Sequence, residues 1–126
     1  MDIIIKNTSN KPIYEQIREQ IKEQILSGEL KEGETLPSMR LLAKELRISM
    51  ITTKRAYEEL ERSGYIESFT GKGSFVKAIN TQMAKETVLR EIEELFDKAI
   101  VKAKLVDLSY LEMEEMLKMM YENKEK

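Results

Sequence analysis

The chain has 126 residues, of which 41% are hydrophobic and 35% charged, a balance typical of a water-soluble globular protein. It contains no cysteine and no histidine, which excludes disulfides and thiolate or imidazole metal sites and removes the commonest general base. No apolar run approaches the roughly 18–20 residues that span a bilayer, and no cleavable signal pattern is present. These features predict a cytoplasmic protein that is not an enzyme and uses no metal or cofactor.

Positive charge is concentrated in one segment, although the net charge of the chain is −2. Residues 40–55 hold one acidic and five basic side chains, a local charge of +4: Glu45, Arg40, Lys44, Arg47, Lys54 and Arg55. A local cationic patch of this kind attracts nucleic acid, but many solvated helix faces also carry one. Charge alone therefore leaves both interpretations open.

The first elements in chain order are a possible short strand and a helix. Ile3–Ile5 is a short apolar cluster, and the polar residues "NTSNK" follow it. Pro12 suits the first turn of a helix, and Gly28 is a stop signal. Isoleucines between them recur every four residues and predict one helical face: Ile13, Ile17, Ile21 and Ile25. The turn-rich stretch "GELKEGETLP" then leads to the next helix.

Two short helices with a three-residue joint are predicted next. Ser38 can cap a helix over Met39–Leu46, and Ser49 can cap another that ends near Gly64. The apolar side of the first comprises Leu41, Leu42, Ala43 and Leu46. The inward side of the second comprises Thr53, Ala56, Tyr57 and Leu60. The short joint "RIS" and the small residue Ala43 predict a helix-turn-helix. Arg47 occupies the turn position where glycine is usual, so we expect a left-handed backbone there.

A β-hairpin is predicted after the second of these helices. The β-prone runs Tyr65–Phe69 and Ser74–Val76 flank "TGKG", which places Lys72 at a glycine-containing tip. The stretch "TGKGS" lacks the spacing of a phosphate-binding loop and leads into a strand. The hairpin therefore fits a wing beside the helix-turn-helix.

The sequence changes character after Ala78. An apolar stripe with a spacing near 3.5 predicts a long amphipathic helix: Val88, Leu89, Ile92, Leu95, Phe96, Ala99 and Ala103. Ser109 and Glu112 form a capping box, so a further helix is expected from about Tyr110. We therefore divide the chain into residues 1–78, a winged helix-turn-helix domain, and residues 79–126, a helical tail.

Each tail helix has one apolar side and cannot form a core alone. We expect a second copy of the chain to cover these sides and form a homodimer. The predicted seam comprises Val88, Ile92, Leu95, Phe96, Ala99, Met113, Met116, Leu117 and Met120. The alternative is that the tail folds back onto residues 1–78. The methionines suit adaptable packing better than a metal site.

The candidate DNA-binding residues follow from the helix-turn-helix, whose second helix enters the major groove of DNA by its N-terminal end. Hydroxyls there can donate to phosphates, basic residues can reach phosphates or bases, and hydrocarbons can contact base edges. Arg40 and the wing tip can reach neighbouring phosphates. The complete predicted set is Ser38, Arg40, Ser49, Met50, Ile51, Thr52, Lys54, Arg55, Gly71, Lys72 and Gly73.

Four stretches between Pro12 and Val76 resemble the winged helix-turn-helix of GntR-family bacterial transcription regulators: "PIYEQI", "ILSGELKEGETLPSMRLLAKEL", "AYEELERSGYIES" and "GKGSFV". The resemblance implies that Arg40 grips DNA, that Lys54 is the basic residue of the recognition helix, and that Gly71 is the wing glycine. The family usually has an arginine directly after the serine cap, where this sequence has Met50. We therefore expect a different operator preference.

The two-helix tail resembles that of the YtrA subfamily. This resemblance implies dimerisation through the tail and repression of a transporter operon. The combined prediction is a mostly α-helical repressor with a small β-hairpin that binds a palindromic operator on double-stranded DNA as a homodimer. The sequence does not identify a small-molecule effector. The alternative is a winged helix used only for protein–protein contact, which would show no salt-sensitive affinity for DNA.

Overall fold

The computed structural model describes residues 1–124 and contains five helices and one two-stranded sheet. The elements in chain order are α1 (Ile13–Leu26), α2 (Met39–Leu46), α3 (Met50–Arg62), β1 (Ile66–Phe69), β2 (Gly73–Val76), α4 (Thr81–Leu105) and α5 (Tyr110–Lys124). The predicted class, mostly α with a small β-hairpin, is confirmed. The chain separates after Asn80 into two compact units, which we call the winged unit and the tail unit.

The predicted strand at Ile3–Ile5 is wrong, because this extended segment lies beside a helix and not beside another strand. The side-chain amide of Gln20 accepts from the Ile4 N–H at 2.9 Å and donates to the Ile4 carbonyl at 2.7 Å. Gln16 makes the same pair of bonds with Lys6, at 2.8 and 3.0 Å. A primary amide carries both a donor and an acceptor, so each glutamine substitutes for one residue of a neighbouring strand.

Helix α1 begins directly after Pro12, which lies at the N-cap position, one residue before the predicted first turn. The helix buries Ile17, Ile21 and Ile25, as the four-residue spacing predicts, and Gly28 follows its end with a φ of +85°. This positive φ is accessible to glycine without strain, which explains why the helix stops here.

The helix-turn-helix is formed by α2 and α3. Ser38 caps α2 by accepting from the Leu41 N–H at 3.1 Å. Arg47 has φ 57° and ψ 49°, which confirms the predicted left-handed turn, and the Ile48 N–H donates to the Ala43 carbonyl at 3.0 Å. One packing prediction is wrong: Leu41 is 47% exposed, because the buried side of this short helix is formed by Leu42 and Ala43.

The core of the winged unit joins all three helices to the hairpin. Its buried apolar members are Ile17, Ile21, Ile25, Leu30, Leu36, Leu42, Ala56, Tyr57, Leu60, Ile66 and Val76. Helix α3 packs against both α1 and α2. The Tyr57 hydroxyl donates to the Pro37 carbonyl at 2.8 Å, and burial raises the pKa of this hydroxyl well above its usual value. These contacts fix the orientation of α3.

The wing consists of β1 and β2, which pair antiparallel from Ile66 opposite Val76 to Phe69 opposite Gly73. The segment before α2 pairs with β2 as a third, strand-like segment, which the sequence did not predict. Thr35 forms an isolated bridge with Phe75, and neighbouring backbone bonds extend the pairing. The wing is thereby attached to the helix-turn-helix on its second side.

In the tail unit, α4 and α5 form as predicted. The Ser109–Glu112 capping box is present, with the Glu112 N–H donating to Ser109 Oγ at 3.1 Å and the Ser109 N–H donating to Glu112 Oε1 at 3.2 Å. Among the described residues of this unit only Ala103 is buried. The two helices therefore do not cover each other's apolar sides.

Candidate nucleic-acid interface

The outward face of α3 is opposite its buried stripe. Thr53, Ala56, Tyr57 and Leu60 face the core. At 100° per residue, the opposite side carries Ile51, Lys54, Arg55 and Glu58, all of which are exposed. The N-terminal end of this helix has no acidic residue in its first turn. The free N–H groups and positive dipole end there favour an anion such as phosphate.

The hydroxyl groups at the start of α3 bond to one another and to the backbone. Ser49 Oγ accepts from the Thr52 N–H at 3.1 Å and lies 2.7 Å from Thr52 Oγ1. The Thr53 hydroxyl donates to the Ser49 carbonyl at 3.3 Å. One hydroxyl hydrogen in the Ser49–Thr52 pair is used by that pair, which leaves one for an external acceptor.

Lys54 is available for contact with an anion. Its ammonium lies 3.8 Å from the Glu58 carboxylate, and the two side chains are 63% and 51% exposed. Ion pairs this exposed contribute little to stability, so a phosphate can replace the carboxylate at low cost.

The Arg55 side chain is held by two contacts, with Tyr14 and with Glu59, that were not predicted from the sequence. Its guanidinium carbon lies 3.7 Å from the centre of the Tyr14 ring, and its Nε donates to Glu59 at 3.3 Å. A guanidinium over an aromatic face is attracted by the negative charge density of the ring. The side chain is 60% exposed, so it remains open to solvent on one side while α1 and α3 fix its position.

Glu59 bridges two arginines, Arg55 on its own helix and Arg18 on α1. Although desolvation by burial acts in the opposite direction, the hydrogen bonds and positive charges of Arg18 and Arg55 lower the pKa of Glu59. Burial likewise opposes the bonds from Glu59 and Glu19, which raise the pKa of Arg18. Glu59 is therefore stabilised in its ionised form, and its ion pair with Arg18 connects α1 to α3.

The other predicted site residues lie at two further edges of the winged unit. Ser38 caps α2, and exposed Arg40 lies in the first turn of that helix. Gly71 and Gly73 have φ values of +80° and +101° and form the tip of the wing around exposed Lys72. Positive φ values explain the glycines, and the tight turn presents the lysine at its end.

Three residues of this surface were not predicted from the sequence: Tyr14, Arg18 and Glu59. The four-residue separation of Arg55 and Glu59 is a recognisable helical ion-pair signal. The contacts of Tyr14 and Arg18 with α3 depend on how α1 docks, and no local pattern encodes that docking.

The described part of the chain shows no group of carboxylates that could hold a metal ion. None of the helices described over residues 1–124 combines the length and hydrophobicity that crossing a bilayer requires.

Residues 13–76 match the family model for bacterial regulatory proteins of the gntR family, which is about half of the chain. The chain belongs to the GntR family. A GntR regulator that it resembles over most of its length is the HTH-type transcriptional repressor YtrA of Bacillus subtilis, with 35% identity over 116 residues, 92% of this chain and 89% of the relative. Its relatives are transcription regulators, which confirms that it is not an enzyme.

Two solved structures share the fold of this chain. The transcriptional antiterminator from Listeria monocytogenes EGD-e is 30% identical, with a TM-score of 0.76 over 96% of this chain and 90% of that protein. AraR(DBD), solved in complex with operator ORX1, has a TM-score of 0.53 over 60% of this chain and 95% of that protein, at 24% identity. The second likeness shows a fold shared over part of the chain.

Proposed function

We propose that this GntR-family regulator is a repressor that binds a palindromic operator on double-stranded DNA as a homodimer. Residues 1–78 would bind the DNA, and residues 79–126 would pair the subunits. The observation that carries the proposal is the N-terminal end of α3, which is exposed, lacks acidic residues in its first turn, and is fixed by core contacts on both sides.

Contacts with DNA would come from three places on the winged unit. The start of α3 would enter the major groove, with Ser49, Met50, Ile51, Thr52, Lys54 and Arg55 facing the DNA. Ser38 and Arg40 at the start of α2 would bind an adjacent phosphate, and Gly71, Lys72 and Gly73 would place the wing tip against the backbone. The complex of AraR(DBD) with operator ORX1 supports this mode of binding, since that protein shares the fold.

Pairing of subunits would follow from the exposed apolar sides of the tail helices. Ile92 is 39% exposed and Phe96 49%, and α5 buries none of its residues. The proposed seam is Val88, Ile92, Leu95, Phe96, Ala99, Met113, Met116, Leu117 and Met120. Exposed apolar helix sides of this kind usually contact another protein surface, and identical chains commonly supply it through two-fold symmetry.

The relationship to YtrA of Bacillus subtilis supports repression as the output. The resemblance of the tail to the YtrA subfamily supports a transporter operon as the regulated target. Because the operator lies on chromosomal DNA, the proposal places the protein in the bacterial cytoplasm.

The experiment that tests this function measures DNA affinity against salt. A duplex would first be selected by the full chain from a random-sequence library. Lys54→Ala should then weaken binding to that duplex and reduce the slope of log affinity against log salt by roughly 0.9 per lost phosphate contact. Lys98→Ala on α4, which is not among the proposed DNA contacts, removes the same charge and should leave the slope unchanged.

Two results would count against the proposal. A library that yields no enriched sequence would support the alternative, a winged helix used only for protein contact. Equal slopes for wild type, Arg40→Ala, Lys54→Ala and Lys72→Ala would show that the DNA lies on a different surface.

A further inference from the structure

Among residues 1–124, Ile51 has the most exposed large hydrophobic side chain, with 80% of its surface accessible to solvent. Its neighbour Met50 is 44% exposed. The core does not account for either side chain, since the buried residues of α3 are Thr53, Ala56, Tyr57 and Leu60. A β-branched residue also has a lower helix propensity than alanine, and the helix dipole would favour a carboxylate in the first turn. The fold alone therefore gives no reason for isoleucine at position 51.

Ile51 occupies the N-terminal end of the face that α3 would present to DNA. It shares this face with Lys54, Arg55 and Glu58, at the spacing i, i+3, i+4 and i+7. The other three side chains are charged. A hydrocarbon at this point can offer DNA only van der Waals and hydrophobic contact.

Few hydrogen-bond donors at the start of α3 are free to read bases. Ser49 and Thr52 bond to each other, which leaves the pair one hydroxyl hydrogen for DNA, and the Thr53 hydroxyl donates to the backbone. Arg55 is held between Tyr14 and Glu59. Position 50 carries methionine, so no guanidinium there can read guanine through two hydrogen bonds.

Thymine is the base that presents a methyl group in the major groove. We propose that Met50 and Ile51 recognise the operator by contact with the 5-methyl groups of thymines, and that these contacts determine the base preference of the first turn of α3. The inference rests on the proposed function, since it requires this end of the helix to enter the major groove.

The test removes single methyl groups from the DNA. In the duplex selected by the full chain, each thymine is replaced in turn by deoxyuracil, which keeps every hydrogen-bonding group and lacks only the methyl. For wild type we expect about fourfold weaker binding at one or two thymines in each half-site, the effect of losing one buried methyl contact. Ile51→Ala should bind the thymine and deoxyuracil duplexes equally at the affected position, and Ile51→Val should retain part of the difference.

Lys54→Ala is the matched control, because loss of a phosphate contact should weaken binding to both duplexes and leave their ratio unchanged. The side chain of Ile51 is exposed, so its variants should keep the melting temperature of wild type. Wild-type affinity that is insensitive to every thymine replacement would overturn the inference. The inference would also be overturned if Ile51→Ala and Met50→Ala both kept the wild-type ratio of affinities for the thymine and deoxyuracil duplexes. In either case, an enriched, salt-sensitive sequence would leave the proposed DNA-binding function intact.

Discussion

The winged unit and the tail unit both contain helices with an apolar stripe, but they differ in whether that stripe is buried. In α1 a stripe of isoleucines lies in the core of the winged unit, where the helix packs against α3, and Ile17 and Ile21 are fully buried. In α4 a comparable apolar stripe remains exposed, with Ala103 its only buried member in the described chain. The periodicity of a sequence identifies which side of a helix is apolar, but it does not identify what covers that side. Under the proposed function, the winged unit completes its fold within one chain and the tail unit completes it with a second.

The largest difference between the two units is expected when the same substitution is made in both. Ile21→Ala removes three carbons from a fully buried site and should lower the free energy of unfolding of the winged unit by about 2–5 kcal/mol. Ile92→Ala should leave the winged unit unchanged and weaken only the association of subunits. Hydrogen exchange of the α3 amides, measured at two protein concentrations, reports the stability of the winged unit in each variant.

If Ile92→Ala lowered the protection of α3 as much as Ile21→Ala does, the stability of the winged unit would depend on the tail. The division into a self-sufficient unit and a dependent one would then be wrong.

A smaller effect is expected at the left-handed residues that follow a helix in each unit, Arg47 with φ 57° and Asp107 with φ 55°. Arg47→Gly should stabilise the winged unit by up to about 1 kcal/mol, because glycine adopts positive φ without strain. Asp107→Gly should gain less, since aspartate tolerates this region better than arginine. Urea unfolding of each variant measures both values. A lower stability of Arg47→Gly would show that the arginine side chain makes contacts that outweigh the strain.

The smallest effect should come from the ion pairs between α1 and α3. The pKa of Glu59 is lower in the folded chain than its ordinary value, so its ionised form stabilises the fold. This contribution is present above the unfolded pKa of about 4.3 and is lost as the pH falls through the lower folded pKa. Glu59→Gln should therefore be less stable than wild type at pH 7, with a difference that shrinks towards pH 3. Glu67→Gln on the wing, whose only described ion pair is the exposed one with Lys77, is the control. A difference independent of pH would assign the role of Glu59 to packing.

Local signals predicted much of this fold correctly. The caps at Ser38 and Ser49, the Ser109–Glu112 capping box and the left-handed Arg47 depend on residues within one helical turn of each other, and all were predicted. The failures depend on docking between distant segments. The apolar run Ile3–Ile5 suggested a strand. No strand forms there, because glutamines on α1 bond to the backbone of this segment.

The same distinction applies to the candidate site. The sequence indicated which residues start α3, because serine caps and helical spacing are local. It did not indicate that Arg55 lies over Tyr14, since the two residues come together only when α1 packs on α3. It also did not show that Leu41 would be exposed, because a helix of only eight residues has few positions that can face the core.

The most direct test of the account combines sedimentation with DNA binding for a charge placed on either side of α4. Ile92→Asp puts an unpaired carboxylate into the proposed seam of each subunit, where burial would cost several kcal/mol. Val101→Asp, nine residues and two and a half turns away, puts the same charge on the opposite side of the helix.

We expect Ile92→Asp to sediment as a monomer with an intact winged unit. It should lose tight binding to the selected palindrome and keep weak, salt-sensitive binding to any DNA, since two helices one DNA turn apart are needed to read both half-sites. Val101→Asp should remain dimeric and bind like wild type. A dimeric Ile92→Asp, or a monomer that binds the palindrome as tightly as wild type, would contradict the account.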